Sequence, residues 1–247
     1  MRELLRSGFL APIEGVPGVY RVEAPYADVI PVTDEQVVQE ANPLAVFSHL
    51  TALVHHALTD QIPAAIQATH YRPPDLGRIP LGTTPEEWVG LAPPPLKRPK
   101  QVDAVPVHWF LCRGDWDFGH AIHYSQGLPV YVTNVERTLL DALRSPGDTG
   151  GITIILRAWR QAKAVLNLNR LVEYTERFGQ SILRQRVGFL LEALGLAHAR
   201  LAAWKQSLLR GSSVKLVAAA PFAPEYSADW NLSLNVPSAV LAELQEE

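Results

Sequence analysis

Between residues 105 and 133 the apolar positions fall in short runs of β-branched and aromatic residues, whereas beyond residue 134 they recur every three or four residues. That change of period predicts strands first and helices later. Three strands are expected over residues 105–112, 118–126 and 128–133, the first two joined as a hairpin through RGDWD, so that they form an antiparallel sheet. An earlier strand is expected over residues 64–70. Helices are expected over 152–164, 168–178, 182–194 and 197–209, with Asn167 capping the second and Gly179, Gly195 and Gly211 ending the last three. Residues 214–219 and 229–236 read as late strands able to return to the sheet. Strands followed by a C-terminal set of helices define an α+β fold.

The first 26 residues have a different pattern. Leu4 and Leu5 close a short helix, Ser7 and Gly8 stop it, and residues 9–13 and 19–22 read as two strands joined through residues 14–18. This is the outline of a partial winged helix, and residues 27–247 are expected to form the main α+β domain. After the linker APYADVIP, Thr33 and Gln36 form a capping box, with Val32 and Val37 as a hydrophobic staple, for a helix ending at Ala41. Asn42 then reads as the cap of a further helix with Pro43 at its first position and Leu44, Phe47, Leu50 or Thr51, Val54 and Leu58 on one buried face, completing a helical hairpin. Residues 71–101 are loop-rich, with PPD and three consecutive prolines at 93–95. Their KRPK run, residues 97–100, reads as a solvated loop ahead of a nucleic-acid contact.

Composition narrows the class. Apolar residues make up 47% of the 247, enough for real cores, and no apolar run approaches the roughly 18 to 20 residues that span a bilayer. No signal-peptide pattern follows Met1, so a cytoplasmic protein is expected. Cys112 is the single cysteine, which leaves no disulfide framework or thiolate cage. The net charge of −3 argues against a surface coated in phosphate-binding groups. Residues 134–210 nevertheless carry 12 Lys and Arg against 6 Asp and Glu. Solvation of outer helix faces accounts for that excess before a nucleic-acid or acidic-partner surface is needed.

The densest signal is residues 133–151, TNVERTLLDALRSPGDTGG. Thr133 with Glu136 forms a capping box, Val135, Leu139, Ala142 and Leu143 recur at helical spacing, and Arg137 stands four residues before Asp141 on another face. Pro146, Gly150 and Gly151 end the helix. Glu136 is explained by the cap and the helix dipole, and Arg137 reads as a structural clamp to the sheet or to Glu136 ahead of a ligand contact. Arg184 and Arg186 precede the apolar run at 187–194, the pattern of a helix with one wet face.

The sequence ERT followed by LLD resembles the core motif of the AbiEi family, the antitoxins of AbiE-type abortive-infection toxin–antitoxin systems. Thr133, Glu136, Arg137, Thr138 and Asp141 lie in that motif. Other segments agree in order: GVYRV (residues 18–22) is similar to the family's wing, FSHLTALVHHALTDQIP (47–63) to a helix and turn, and RQRVGFLLEALG (184–195, with Arg184 and Arg186) and WNLSLNVP (230–237) to later segments. The resemblance implies a winged-helix transcriptional autoregulator of a type IV system for phage defence. Such a protein binds operator DNA and counteracts a nucleotidyltransferase-like toxin that need not be a physical partner. It also leaves room for a homodimer. By this reading DNA would meet Arg2, Arg6, Gly18, Tyr20 and Arg21. Glu3, Glu14 and Glu23 offset those arginines, and only six residues lie between Met1 and Gly8, too few for a recognition helix, so DNA binding by residues 1–247 is expected to be weak.

Catalytic signatures are sparse. The chain has no G-x-x-x-x-G-K loop, no G-x-G-x-x-G and no G-x-S-x-G. His55 and His56 are adjacent, His49 is six residues back, and His120 and His123 fall on opposite faces of a strand, so no metal set emerges; His108, His120 and His123 are expected to flank the sheet beside aromatics. Asp103, Asp115 and Asp117 come nearest to a nuclease cluster but read as turn residues. The expectation is a binding protein, not an enzyme, with no cofactor. A metal-dependent nuclease and an interaction module with a decayed DNA-binding part are the alternatives.

Overall fold

The computed structural model describes residues 1–23, 32–72, 79–91, 96–208 and 213–244. Its elements form two compact units, residues 1–51 with 62–133, and residues 52–61 with 134–247. The architecture is α+β. The linker at 24–31, the boundary expected after residue 26, PPD at 73–75, the prolines at 93–95 and the stop at Gly211 lie outside the described residues.

The first unit opens with α1 (Arg2–Arg6), β1 (Leu10–Pro12) and β2 (Tyr20–Val22), the last two antiparallel with Leu10 opposite Val22. Gly8 follows α1 with φ +75°, a value that costs glycine nothing, so the helix stops where the sequence indicates. Next come α2 (Asp34–Ala41), β3 (Val46–Phe47), α3 (His49–His55, of which residues 52–55 belong to the second unit), β4 (Ile66–Arg72), β5 (Gln101–Val102), β6 (Val105–Arg113), β7 (His120–Ser125) and β8 (Leu128–Thr133). The capping box of α2 is formed as expected: Thr33 N–H donates to Gln36 Oε1 at 2.8 Å, and Gln36 N–H to Thr33 Oγ1 at 3.4 Å.

Strands β3 to β8 make one six-stranded sheet in the order β5-β6-β4-β3-β8-β7. Two expectations are corrected here. RGDWD does not close a hairpin, because three strands lie between β6 and β7. Strand β4 buries six of its seven residues and must therefore be interior, so it takes β6 as a parallel neighbour from Ile66 opposite Val107 to Arg72 opposite Arg113. The sheet is mixed, with antiparallel pairs at β3–β4, β5–β6 and β7–β8. The second correction concerns residues 42–58. Asn42 caps the C-terminus of α2, and Val46 and Phe47 form a central strand between β4 and β8. The helix begins only at His49, whose φ is +53°, and Val54 is exposed. Apolar residues spaced three and four apart suggested one helical face, but they belong to two elements.

The second unit contains α4 (Val135–Arg144), α5 (Ile152–Ala162), α6 (Leu168–Phe178), α7 (Ser181–Ala193), α8 (Arg200–Gln206), β9 (Val214–Lys215), β10 (Tyr226–Ser227), β11 (Leu232–Ser233) and α9 (Ser238–Ala242). Leu139, Leu140 and Leu143 of α4, Ile155 and Trp159 of α5, and Leu171 of α6 are fully buried, each contributing about 1.5 to 3 kcal/mol. Helix α6 starts and stops as its sequence indicates: Asn167 Oδ1 accepts from Arg170 N–H, and Gly179 is left-handed at φ +66°. The late strands do not return to the main sheet. They form a small sheet in the order β10-β11-β9.

Candidate functional site

The charged residues of the α4 motif are turned inward. Thr133 is the last residue of β8, paired opposite His120 and fully buried, and its hydroxyl donates to Phe47 O at 3.4 Å. It is therefore not the cap. Asn134, the first residue off the strand, takes that role by accepting Arg137 N–H at 3.0 Å, which corrects the Thr133–Glu136 capping box. Released from capping, Glu136 accepts from Asn167 N–H at 2.8 Å and lies 3.5 Å from Arg170 Nη1, tying α4 to the start of α6. Thr138 donates to Asn134 O at 2.8 Å.

Arg137 is completely buried, and its Nε donates to Asp141 Oδ2 at 2.8 Å. Arg144 reaches the other oxygen of Asp141 at 3.4 Å. Both guanidinium groups also stand over the ring of Phe178, at 4.6 and 4.5 Å from its centroid. The clamp inferred for Arg137 thus runs to Asp141 and Phe178, not to Glu136. Phe178 has no signal in the sequence beyond its place as the last apolar residue before Gly179.

A second set of contacts joins α7 to the region before β11. Gln185 Nε2 donates to Trp230 O at 3.0 Å, Trp230 Nε1 donates to Glu192 Oε2 at 2.6 Å, and Gly188 faces the buried indole ring. Arg186 donates through Nε and Nη2 to Lys215 O at 3.0 and 2.9 Å. Arg184 pairs at 3.4 Å with Glu176, which also accepts from Trp204 Nε1 at 2.6 Å and Arg200 Nε at 3.2 Å. Partial burial raises the Glu176 pKa, but the bonds from Trp204 and Arg200 and the charges of Arg184 and Arg200 outweigh it, so the carboxyl sits below its usual range. A depressed folded-state pKa adds stability above the unfolded value, about 4.3, and loses it as pH falls through the folded one. Glu176→Gln should therefore lower the urea midpoint at neutral pH, and the gap to wild type should close below about pH 4. A gap that persists at low pH would contradict this linkage.

In the first unit the wing residues are accessible. Arg2, Arg6 and Gly18 are exposed, and Tyr20 and Arg21 half-buried. Arg21 is held by Asp103 at 2.7 Å. The tip of the hairpin packs against the KRPK run. Lys97 Nζ donates to Pro17 O at 2.6 Å, and Glu14 and Asp103 exchange a backbone and a side-chain bond, Asp103 N–H to Glu14 O at 3.0 Å and Glu14 N–H to Asp103 Oδ1 at 3.2 Å. Gly15, at φ +79°, fits because a Cβ there would sit 2.5 Å from Gln101 O. Arg98 and Lys100 are exposed beside this contact. Eighty residues separate the two segments, so their meeting left no local trace in the sequence.

The remaining candidates stay apart. Asp103 is taken by Arg21, Asp115 by Arg113 at 2.5 Å, and Asp117 by His120 at 2.8 Å. His120 stands beside Tyr71 and Tyr131, and His108 and His49 each stack on Phe110. Among the described residues no group of three His, Cys, Asp or Glu gathers to hold a metal, and no helix is long and apolar enough to cross a membrane. Cys112 is half-buried against the cluster of Val46, Tyr71 and Tyr131.

These features define an α+β protein of two units, one carrying a helix-and-hairpin N-terminus beside a mixed sheet, the other a helical set with an internal charge cluster. No family model and no curated protein sequence matches the chain. Among solved structures it is similar to the RV2827C protein from Mycobacterium tuberculosis, with a TM-score of 0.58 at 17% identity, over 99% of this chain and 82% of that one. At that identity the likeness concerns the fold alone.

Proposed function

We propose that this chain is an antitoxin of the AbiEi kind, a cytoplasmic DNA-binding autoregulator that acts by binding, not catalysis, and counteracts a nucleotidyltransferase-like toxin. The observation that carries the reading is the joining of the wing hairpin to Lys97, Arg98 and Lys100 in one exposed surface. On the first helix and hairpin alone, Arg2, Arg6 and Arg21 are matched by Glu3, Glu14 and Glu23; the added cations tip the balance toward phosphate. The motif supports the same reading from the other unit. Glu136, Arg137 and Asp141 are spent on internal bonds, so the resemblance lies in residues that hold the fold of that unit.

DNA affinity is expected to be weak and steeply salt-dependent, with little preference for an upstream inverted repeat. Each phosphate contact removed should reduce the log–log salt slope by about 0.9, so Arg98→Ala with Lys100→Ala should flatten it by about 1.8. Fluorescence anisotropy against duplex DNA at several salt concentrations measures this, and an unchanged slope would remove the 97–100 run from the interface. For the antitoxin role, co-expression with the toxin of the adjacent gene should restore growth. Unrelieved toxicity would overturn that role, and Mg²⁺- or Mn²⁺-dependent cleavage of nucleic acid by the purified protein would overturn the binding-only reading.

A further inference from the structure

The start of α7 opens on a cleft of about 510 Å³, within the roughly 300 to 1,000 Å³ of small-molecule sites, lined among others by Arg144, Ser145, Gln180, Ser181, Ile182 and Arg186. We propose that this cleft binds a phosphate group, carried by inorganic phosphate or by a nucleotide. The inference is independent of the antitoxin reading.

Three observations converge on it. The first is Arg186, which is only 7% exposed and forms no ion pair among the described residues. Its Nε and Nη2 bond to Lys215 O and its Nη1 reaches Leu143 O at 3.5 Å, so three of its five donors go to carbonyls and two remain. The neighbouring buried arginine, Arg137, has Asp141 at 2.8 Å; Arg186 has no such counter-charge. Burial alone pushes its pKa down, with no carboxylate to offset the effect. An anion in the cleft would supply what the protein does not.

The second is the helix itself. Helix α7 runs for 13 residues, its first turn holds no acidic residue, and its N-cap residue Gln180 makes no capping bond with its side chain. The amide oxygen of Gln180 is turned instead to Arg144 Nε at 3.3 Å. The first intrahelical bond is Arg184 N–H to Gln180 O, which leaves the N–H groups of Ser181, Ile182 and Leu183 without an intrahelical acceptor at the positive end of the dipole. The third is Arg144, partly exposed at the rim and reaching Asp141 at 3.4 Å, with Ser145 and Ser181 also lining the cleft. Two guanidinium groups, two serine residues in the lining and a row of backbone donors suit a tetrahedral dianion with several acceptor oxygens better than a single carboxylate.

The test is isothermal titration of the full chain with inorganic phosphate and, separately, with adenosine triphosphate, at constant ionic strength. Saturable binding of either probe by wild type is expected, and the tighter one identifies the source of the phosphate. Gln180→Glu places a carboxylate at the helix start, where it favours the helix but repels the ligand, so binding should weaken at least tenfold with an unfolding temperature equal to or above wild type. Arg186→Ala should also abolish binding; because it can disturb folding, Gln180→Glu decides. Absence of saturable binding of both probes by wild type, or equal affinity in wild type and Gln180→Glu, overturns the proposal.

Discussion

Arg137→Ala is expected to destabilise the second unit by about 3 to 5 kcal/mol, the range for breaking a buried ion pair by removing one partner. The guanidinium is fully buried, so nothing replaces it. Asp141, itself 2% exposed, would lose its 2.8 Å bond and keep only the 3.4 Å approach of Arg144. Phe178 would lose the Arg137 guanidinium over its ring, and a cavity would remain where that fully buried side chain stood. A charge-assisted bond in a partly buried site would be worth about 1 to 3 kcal/mol; the full burial of Arg137 raises the figure. Replacing the pair together, Arg137→Met with Asp141→Leu, should cost less than Arg137→Ala, since no orphaned charge is left. Urea unfolding of the three proteins measures this. Unchanged stability in Arg137→Ala would show that the buried pair does not hold this unit together.

Gly188→Ala is expected to destabilise by about 1 to 3 kcal/mol, although exchanging glycine for alanine inside a helix ordinarily gains about 1 kcal/mol. A methyl group there would overlap the Trp230 ring, lying 2.6 Å from Cζ2. The ring has little room to retreat. It is 1% exposed, its Nε1 is bonded to Glu192, and its carbonyl is held by Gln185. In a Trp230→Leu background the overlap is removed, so Gly188→Ala should there become neutral or stabilising. A double-mutant cycle reads the coupling, and a Gly188→Ala cost that is the same in both backgrounds would rule out the Trp230 contact as its cause.

Much of the local structure was legible because its causes are local. Thr33 with Gln36, and Asn167 before α6, are side chains bonding a backbone N–H three residues on, and Gly179 supplies a left-handed φ at one position. The β-branched runs at 105–112 and 128–133 form strands β6 and β8, the first one residue longer than its run. Arg137 and Asp141 meet because four residues is about one helical turn.

The errors and omissions share another origin. Thr133 has the right chemistry for a cap, but strand pairing holds it in the sheet and passes the role to Asn134. Val46 and Phe47 match a helical period, yet the central sheet position between β4 and β8 takes them as a strand. The turn at residues 113–117 looks like a hairpin because nothing local tells which strand will lie beside β6. By itself, then, the sequence determined caps, stops, most strands and the α+β class, all of which depend on neighbours within a few residues. Tertiary structure alone decided the strand order, the docking of the wing tip on Lys97, the pairing of Gly188 with Trp230 and the placement of Arg186 in a cleft without a counter-charge. Those contacts join residues 29 to 80 positions apart, and they are selected by burial of whole faces, which no short window of sequence records.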